Sequence, residues 1–311
     1  MKPRSMEHLV VFRDEQYFAG WPANGGFWQF ADGELALGFV RGKCDYAKPE
    51  TTGHAAVDCE NGEHVVVRSR DGGRTWPLDE MVTVYRRPEI DEKLKQARSS
   101  VAADSGFDPR ADGWCLISAY GIPPKDAQNL IFATVSTDRG RTWRDPVRLP
   151  ACRFAHIGGR PNCLVRRDGV VLLFAHGSRE GEATASPLVY ASWDGGASWG
   201  LLGEIGLTPR HPGGIMPNPI ELDNGAMLIA VRRQYDGYNA YTQVYASKDQ
   251  GLSWHFLSRV NEWGAPAALA QLPDGRLVCC YGYRQKPWGV RARVSLDRGA
   301  TWGTEIILRD D

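Results

Sequence analysis

The chain has 311 residues, 42% hydrophobic and 24% charged, an ordinary globular composition at a length that one all-β domain can fill. Lys+Arg and Asp+Glu each number 37, so the net charge is zero and no basic run occurs, which speaks against nucleic acid as a partner. No stretch approaches the ~18 apolar residues of a membrane span, and Met1–His8 lacks the apolar core of a secretory signal; a cytoplasmic location is expected, with a secreted form after processing as the alternative.

In chain order, a β-rich run near Val10-Val11-Phe12 comes first and a tight turn at Asp32-Gly33 second. A long loop then separates Arg41 from His64. The motif Ser-x-Asp-x-Gly-x-x-Trp, the Asp box, appears at Ser69/Asp71/Gly73/Trp76 and returns at Ser136/Asp138/Gly140/Trp143, Ser192/Asp194/Gly196/Trp199, Ser247/Asp249/Gly251/Trp254 and Ser295/Asp297/Gly299/Trp302. Its tryptophans stand 67, 56, 55 and 48 residues apart, a blade-sized period for a radial β-repeat. The motif has the chemistry of a tight hairpin. Asp accepts hydrogen bonds from backbone N–H groups ahead of it, Gly takes positive φ, and Trp covers the turn while its N–H finds an acceptor. These residues read as structural, not catalytic.

A second turn precedes each copy, at Asp32-Gly33, Asp112-Gly113, Asp168-Gly169, Asp223-Asn224-Gly225 and Asp274-Gly275, between β-rich runs. One module is therefore strand a, Asp-Gly turn, strand b, variable loop, strand c, Asp box, strand d. Between the first two modules, Ile90–Arg98 reads as a helical turn or two.

This order sorts the two faces of the ring. The a–b and c–d turns share one face, so the variable b→c and d→a loops occupy the other, where chemistry is expected. The residues assigned to that face include Arg41, His54, Asp58, Arg160, His176, His211, Arg232, Arg233, Tyr235, Glu262, Trp263, Tyr283, Arg284 and Arg291. Arg232 and Arg233 are neighbours in a strand and point oppositely. Arg233 stands eight residues after its turn glycine, as Arg41 and Tyr283 do, and is preferred for the pocket. The seven cysteines are scattered with no CxxC pair, against a disulfide framework or a zinc site. The histidines have no metal-ligand spacing, so neither metal nor cofactor is expected.

The five Asp boxes resemble those of the sialidase (neuraminidase) superfamily, and the context Tyr281-Gly-Tyr283-Arg284 looks like that of poorly characterised sialidase-like members. The resemblance implies a six-bladed β-propeller over residues 1–311, its last blade incomplete or closed by the N-terminal strand. It also implies arginines on a substrate carboxylate, an Asp acid/base in the first b→c loop and a Tyr nucleophile assisted by Glu. Arginine suits the first task because its planar fork matches a carboxylate; a neutral Tyr approaches an anionic sugar with less repulsion than a carboxylate, an exception among glycosidases.

Carried over residue by residue, Asp58 stands at the acid/base position and Arg233 or Arg232 at the second arginine. The first and third arginines have no counterpart, the segments reading Gly20-Trp21-Pro22-Ala23 and Glu262-Trp-Gly-Ala-Pro266. The expected protein is an exo-acting sialidase-like glycoside hydrolase. Arg41, Arg160, Arg233 and Arg284 hold the carboxylate of an acidic sugar, His211 and Tyr235 add contacts, Asp58 protonates the leaving oxygen, and Tyr283 with Glu262 supplies the nucleophile. Two alternatives stay open: a uronic-acid glycosidase or polysaccharide lyase using His54 or His211, and a non-catalytic carbohydrate-binding propeller.

Overall fold

The computed structural model of the chain describes residues 2–3, 5–21, 26–57, 62–96, 106–120, 131–182, 184–205, 213–234 and 239–310. Five antiparallel sheets succeed one another along it. The first holds β1 (Tyr17–Gly20), β2 (Phe27–Gln29), β3 (Leu35–Lys43), β4 (Glu63–Ser69) and β5 (Val82–Arg86). The second holds β6 (Cys115–Tyr120), β7 (Ile131–Ser136) and β8 (Val147–Arg148). The third comprises β9 (His156–Val165), β10 (Val171–Ser178), β11 (Ser186–Ser192) and β12 (Gly200–Glu204), and the fourth β13 (Ile215–Glu221), β14 (Met227–Gln234), β15 (Ala240–Ser247) and β16 (His255–Arg259). The fifth is β17 (Gly264–Gln271), β18 (Leu277–Tyr283), β19 (Gly289–Ser295) and β20 (Ile306–Arg309).

Each Asp box behaves as its residue types require. Ser69 Oγ donates to Asp71 Oδ1 at 2.7 Å and accepts from Gly73 N–H at 2.9 Å. The same carboxylate takes the Thr75 N–H (2.9 Å) and hydroxyl (2.7 Å), and the Trp76 indole N–H donates to Gly73 O at 2.9 Å. The pattern recurs at Trp143, Trp199 and Trp254. In the fifth box the Trp302 indole donates instead to Ser258 Oγ of the preceding blade, at 3.0 Å. The a–b turns differ in one respect. Gly33, Gly169, Gly225 and Gly275 have φ of 80–89°, whereas Gly113 is needed for space, since a Cβ there would stand 2.4 Å from Thr137 O.

Apolar layers between successive sheets form the core, because both faces of a blade are buried. Leu116, Val135, Leu173, Tyr190 and Trp199 fill the layer between blades two and three; Leu172, Phe174, Ile229, Val231 and Trp254 fill the next. Leu228, Leu269, Leu277 and Tyr281 join blades four and five, and Val66, Tyr85, Ile117 and Phe132 join one and two. On the turn face boxes two to five also grip the blade before them. Arg139 pairs with Asp32 (2.6 Å) and Glu34 (3.2 Å) and also contacts Asp112. Phe107 N–H donates to Asp194 O at 2.9 Å, and Arg166 donates to Gln250 O at 2.9 Å.

The described residues thus form a five-bladed β-propeller, correcting the six blades expected from the resemblance. The blade count follows the boxes, one per sheet. The fifth blade has four strands, β20 being its outer one, and is neither truncated nor completed by the N-terminal run. Val11 and Phe12 instead pack on blade one, with Phe12 5.2 Å from the Phe39 ring centroid. Strand β1 lies in blade one beside β3. Lys2 and Asp310, near the two ends of the chain, pair at 2.9 Å. The long first b→c loop contains α1 (His54–Val57), and the segment after blade one contains α2 (Arg87–Gln96), where a helical turn was expected.

Candidate active site

Opposite the turn face, the inner strands share an irregularity. In blade three, Phe174 pairs with Asn162 and His176 with Gly158, so residues 159–161 face one partner residue. Ladder breaks recur between Ile215 and Asn218 in blade four and between Gly264 and Ala267 in blade five. In blade one the inner strand is split outright, Gly20 facing Val40 and Phe27 facing Leu37. Bulges bend a strand and re-aim side chains, and they concentrate beside active sites. Trp21 (φ 52°) and Met216 (φ 51°) are held in the left-handed region at two of these breaks, a strain that persists only where surroundings enforce it. Four breaks at one level ring the axis on the face that carries the variable loops.

Blade one supplies Trp21 and His54, whose rings lie 4.8 Å apart. Helix α1 packs down on Gly42, where a Cβ would stand 1.8 Å from Ala56 O. Asp58 follows that helix directly but lies outside the described residues, as do His211 and Tyr235. Arg160 sits in the β9 bulge.

Arg41 does not turn to the axis. Its Nε donates to Glu63 Oε1 at 2.8 Å, and its guanidinium lies 4.8 Å over the Tyr17 ring, on the side of blade one covered by Phe12. Arg233 is buried at 2% exposure, and its strand parity with Ile229 and Val231 sends it into the layer against blade three. The spacing rule that grouped Arg41, Arg233 and Tyr283 was sound as register but selects the side facing the preceding blade. Tyr283 accordingly carries the Arg291 guanidinium 4.8 Å over its ring. Glu262 pairs with Arg259 at 2.6 Å.

Arg232, set aside in the sequence reading, occupies a different setting. It shares parity with Leu228 and Ala230 and so points toward blade five. Among the described residues its Nη1 reaches only the Met216 sulfur, at 3.7 Å, and its buried Nε has no hydrogen-bond partner. Burial and the neighbouring Arg284 charge push its pKa down to about 10. Arg284 is anchored on the β17 bulge: its Nε donates to Ala265 O at 2.7 Å and its N–H to Trp263 O at 3.1 Å. Trp263, whose carbonyl takes that bond, and Trp288, four residues beyond Arg284 in sequence, are 38% and 41% exposed. Two guanidinium groups near each other, one incompletely satisfied, form a site that an anion would stabilise.

His176, on β10 opposite Gly158, has a buried Nδ1 without a partner, and desolvation lowers its pKa to about 4. It stays neutral in the fold while its unfolded counterpart titrates near 6.5. Below pH 6.5 the unfolded chain binds a proton that the native site refuses, so stability falls as pH drops toward 4. The expected loss is about 2–3 kcal/mol, and urea titrations from pH 7 to 4 should show it shrinking in His176→Gln; an unchanged slope would refute the assignment. No group of three potential metal ligands occurs among the described residues, and none of their helices is long and apolar enough to cross a membrane.

Five blades, each with one Asp box, define an Asp-box β-propeller. The chain belongs to the BNR repeat-like domain family, whose model matches residues 60–311. No curated protein sequence matches it. Among solved structures it is similar to a protein of unknown function from Dyadobacter fermentans (22% identity, TM-score 0.75, covering 97% of this chain and 86% of that one). It is also similar to the Hadza microbial sialidase Hz136 (15%, 0.66, 95% and 59%) and to an α-L-arabinanase from Penicillium chrysogenum solved with arabinobiose (15%, 0.60, 94% and 80%). At these identities the likeness carries the fold alone.

Proposed function

We propose that the protein is an exo-acting glycoside hydrolase for an acidic sugar, bound at the axial end of the loop-bearing face. The observation that carries this reading is the Arg232–Arg284 pair: a buried, partnerless Nε and a pKa lowered to about 10 beside a second arginine call for a carboxylate between blades four and five. Trp263 and Trp288 offer ring faces to the sugar. Asp58, next to α1, protonates the leaving oxygen, a task that needs its pKa raised by burial or a nearby negative charge. Tyr283 serves as nucleophile. Glu262, the partner of Arg259, takes the phenolic proton as its base, and Arg41 braces Glu63 rather than the substrate.

Aryl glycosides of sialic and uronic acids, assayed beside a neutral aryl arabinofuranoside, test the proposal. Turnover of an acidic glycoside, lost in Asp58→Asn, is the expected result. Preference for the arabinofuranoside would overturn the acidic substrate, and full activity of Asp58→Asn would remove that residue from the mechanism. A second reading rests on His54, whose ring meets Trp21 beside the break in the first inner strand: as general base it would abstract the proton in a uronate lyase. An unsaturated product absorbing in the near ultraviolet would decide for it.

A further inference from the structure

The turn face, which the proposed hydrolysis does not use, carries a groove of about 540 Å³ between blades two and three. Its walls are the segment leading to the Asp112-Gly113 turn, the Asp168-Gly169 turn and the third Asp box. The walls are locked together. Phe107 N–H donates to Asp194 O at 2.9 Å, and a Cβ on Gly106 would stand 2.9 Å from the same oxygen. On the groove's edge stands Trp193, 69% exposed.

Nothing in the Asp box requires that tryptophan. The equivalent position holds Arg70, Thr137, Lys248 and Leu296 in the other four boxes, and Trp199 already covers the third turn. The five box tryptophans all donate their indole N–H within the protein; the Trp193 N–H meets no acceptor among the described residues. Beside it, Arg110 packs against Gly169, whose φ of 89° favours glycine, with its Cζ 3.5 Å from where a Cβ would stand. Its Nε contacts Asp108 at 3.4 Å, and the side chain is 62% exposed, so its terminal amino groups are open to solvent. The other carboxylates are committed: Asp168 to Arg166, and Asp194 to Ser192 and Ser198.

From this arrangement we infer a saccharide-binding site on the turn face, separate from the axial pocket. An exposed indole stacks on the apolar face of a pyranose or furanose ring, while Asp108 and Arg110 offer one acceptor and several donors to its hydroxyls. The charged groups of the groove pair internally and leave no surplus positive charge. The ligand class is therefore a neutral polysaccharide, unlike the acidic sugar of the axial pocket. Such a site would hold the protein on a polymer while the opposite face works on chain ends.

Native affinity electrophoresis in gels containing arabinan, xylan or mixed-linkage β-glucan, with polygalacturonate as the acidic control, tests the site. Wild-type protein is expected to be retarded by at least one neutral polymer. Trp193→Ala should weaken that binding about tenfold or more, the equivalent of about 1.4 kcal/mol, while Trp193→Tyr retains much of it and Arg232→Ala leaves it unchanged. Because Ser192, Asp194, Gly196 and Trp199 stay in place, Trp193→Ala should keep the wild-type melting temperature. Absence of retardation by all three neutral polymers would overturn the inference, as would equal retardation of Trp193→Ala or retardation by polygalacturonate alone. Concentration-dependent sedimentation lost in Trp193→Ala, without polymer binding, would instead make the indole a self-association patch.

Discussion

Trp199→Ala should be among the most destabilising single substitutions in the propeller, costing about 3–5 kcal/mol. Trp199 is 4% exposed and packs among Leu116, Val135 and Tyr190, so the cavity opens where two blades meet. The substitution also frees Gly196 O, which accepts the indole N–H at 3.2 Å. Trp254, 7% exposed against Phe174 and Met227, should cost nearly as much. Trp76, Trp143 and Trp302 are only half-buried, and their alanine variants should lose clearly less. Urea unfolding of all five variants measures the gradient. Equal losses at every box would mean that the turn itself, not the layer between blades, carries the stability. The pattern matters because identical motifs are predicted to have unequal weight, set by what lies outside each one.

Arg232→Met is expected to move stability and activity in opposite directions. In the free protein Arg232 is a partly buried cation with a partnerless Nε beside another cation, and both burial and Arg284 disfavour its charge. Replacing such a group with an apolar side chain of similar length removes the desolvation cost and the repulsion. A gain of about 1–2 kcal/mol follows, visible as a rise of a few degrees in the melting temperature. Loss of a charge-assisted contact to the substrate carboxylate should lower kcat/KM on an acidic glycoside by about 10- to 100-fold. Arg232→Lys keeps the charge without the planar fork and should fall between. A variant that is both less stable and fully active would show that Arg232 is structural. Such a trade between stability and function is ordinary at binding sites.

The modules were legible from sequence because each is written locally. The Asp box needs Ser, Asp, Gly and Trp within eight positions, and the hydrogen bonds it makes close inside the same hairpin. The a–b turns are equally local. Strand order within a module follows, and with it the sorting of turns to one face and variable loops to the other. The number of blades did not follow from the resemblance; counting boxes alone would have given five.

The site was less legible, for a definite reason. Both faces of a blade are buried, so strands such as Met227–Gln234 are apolar on both sides, and alternation does not reveal which side a residue takes. Arg232 and Arg233 therefore look alike in sequence. Only the packing of blade four between blades three and five sends Arg233 into one layer and Arg232 toward Arg284. The inner-strand breaks are also tertiary, since Met216 and Ala265-Pro266 depart from the ladder only against their partners in β14 and β18.

By itself, the sequence determined the repeated hairpin, its period and the sorting of short turns to one face and variable loops to the other, because those depend on contacts between residues a few positions apart. Tertiary structure alone decided the five-blade count, the proximity of Arg232 to Arg284, the engagement of Arg41 by Glu63, the burial of Arg233, and the groove beside Trp193. Each of these depends on which blade stands next to which, and residues fifty positions apart carry no local sign of that.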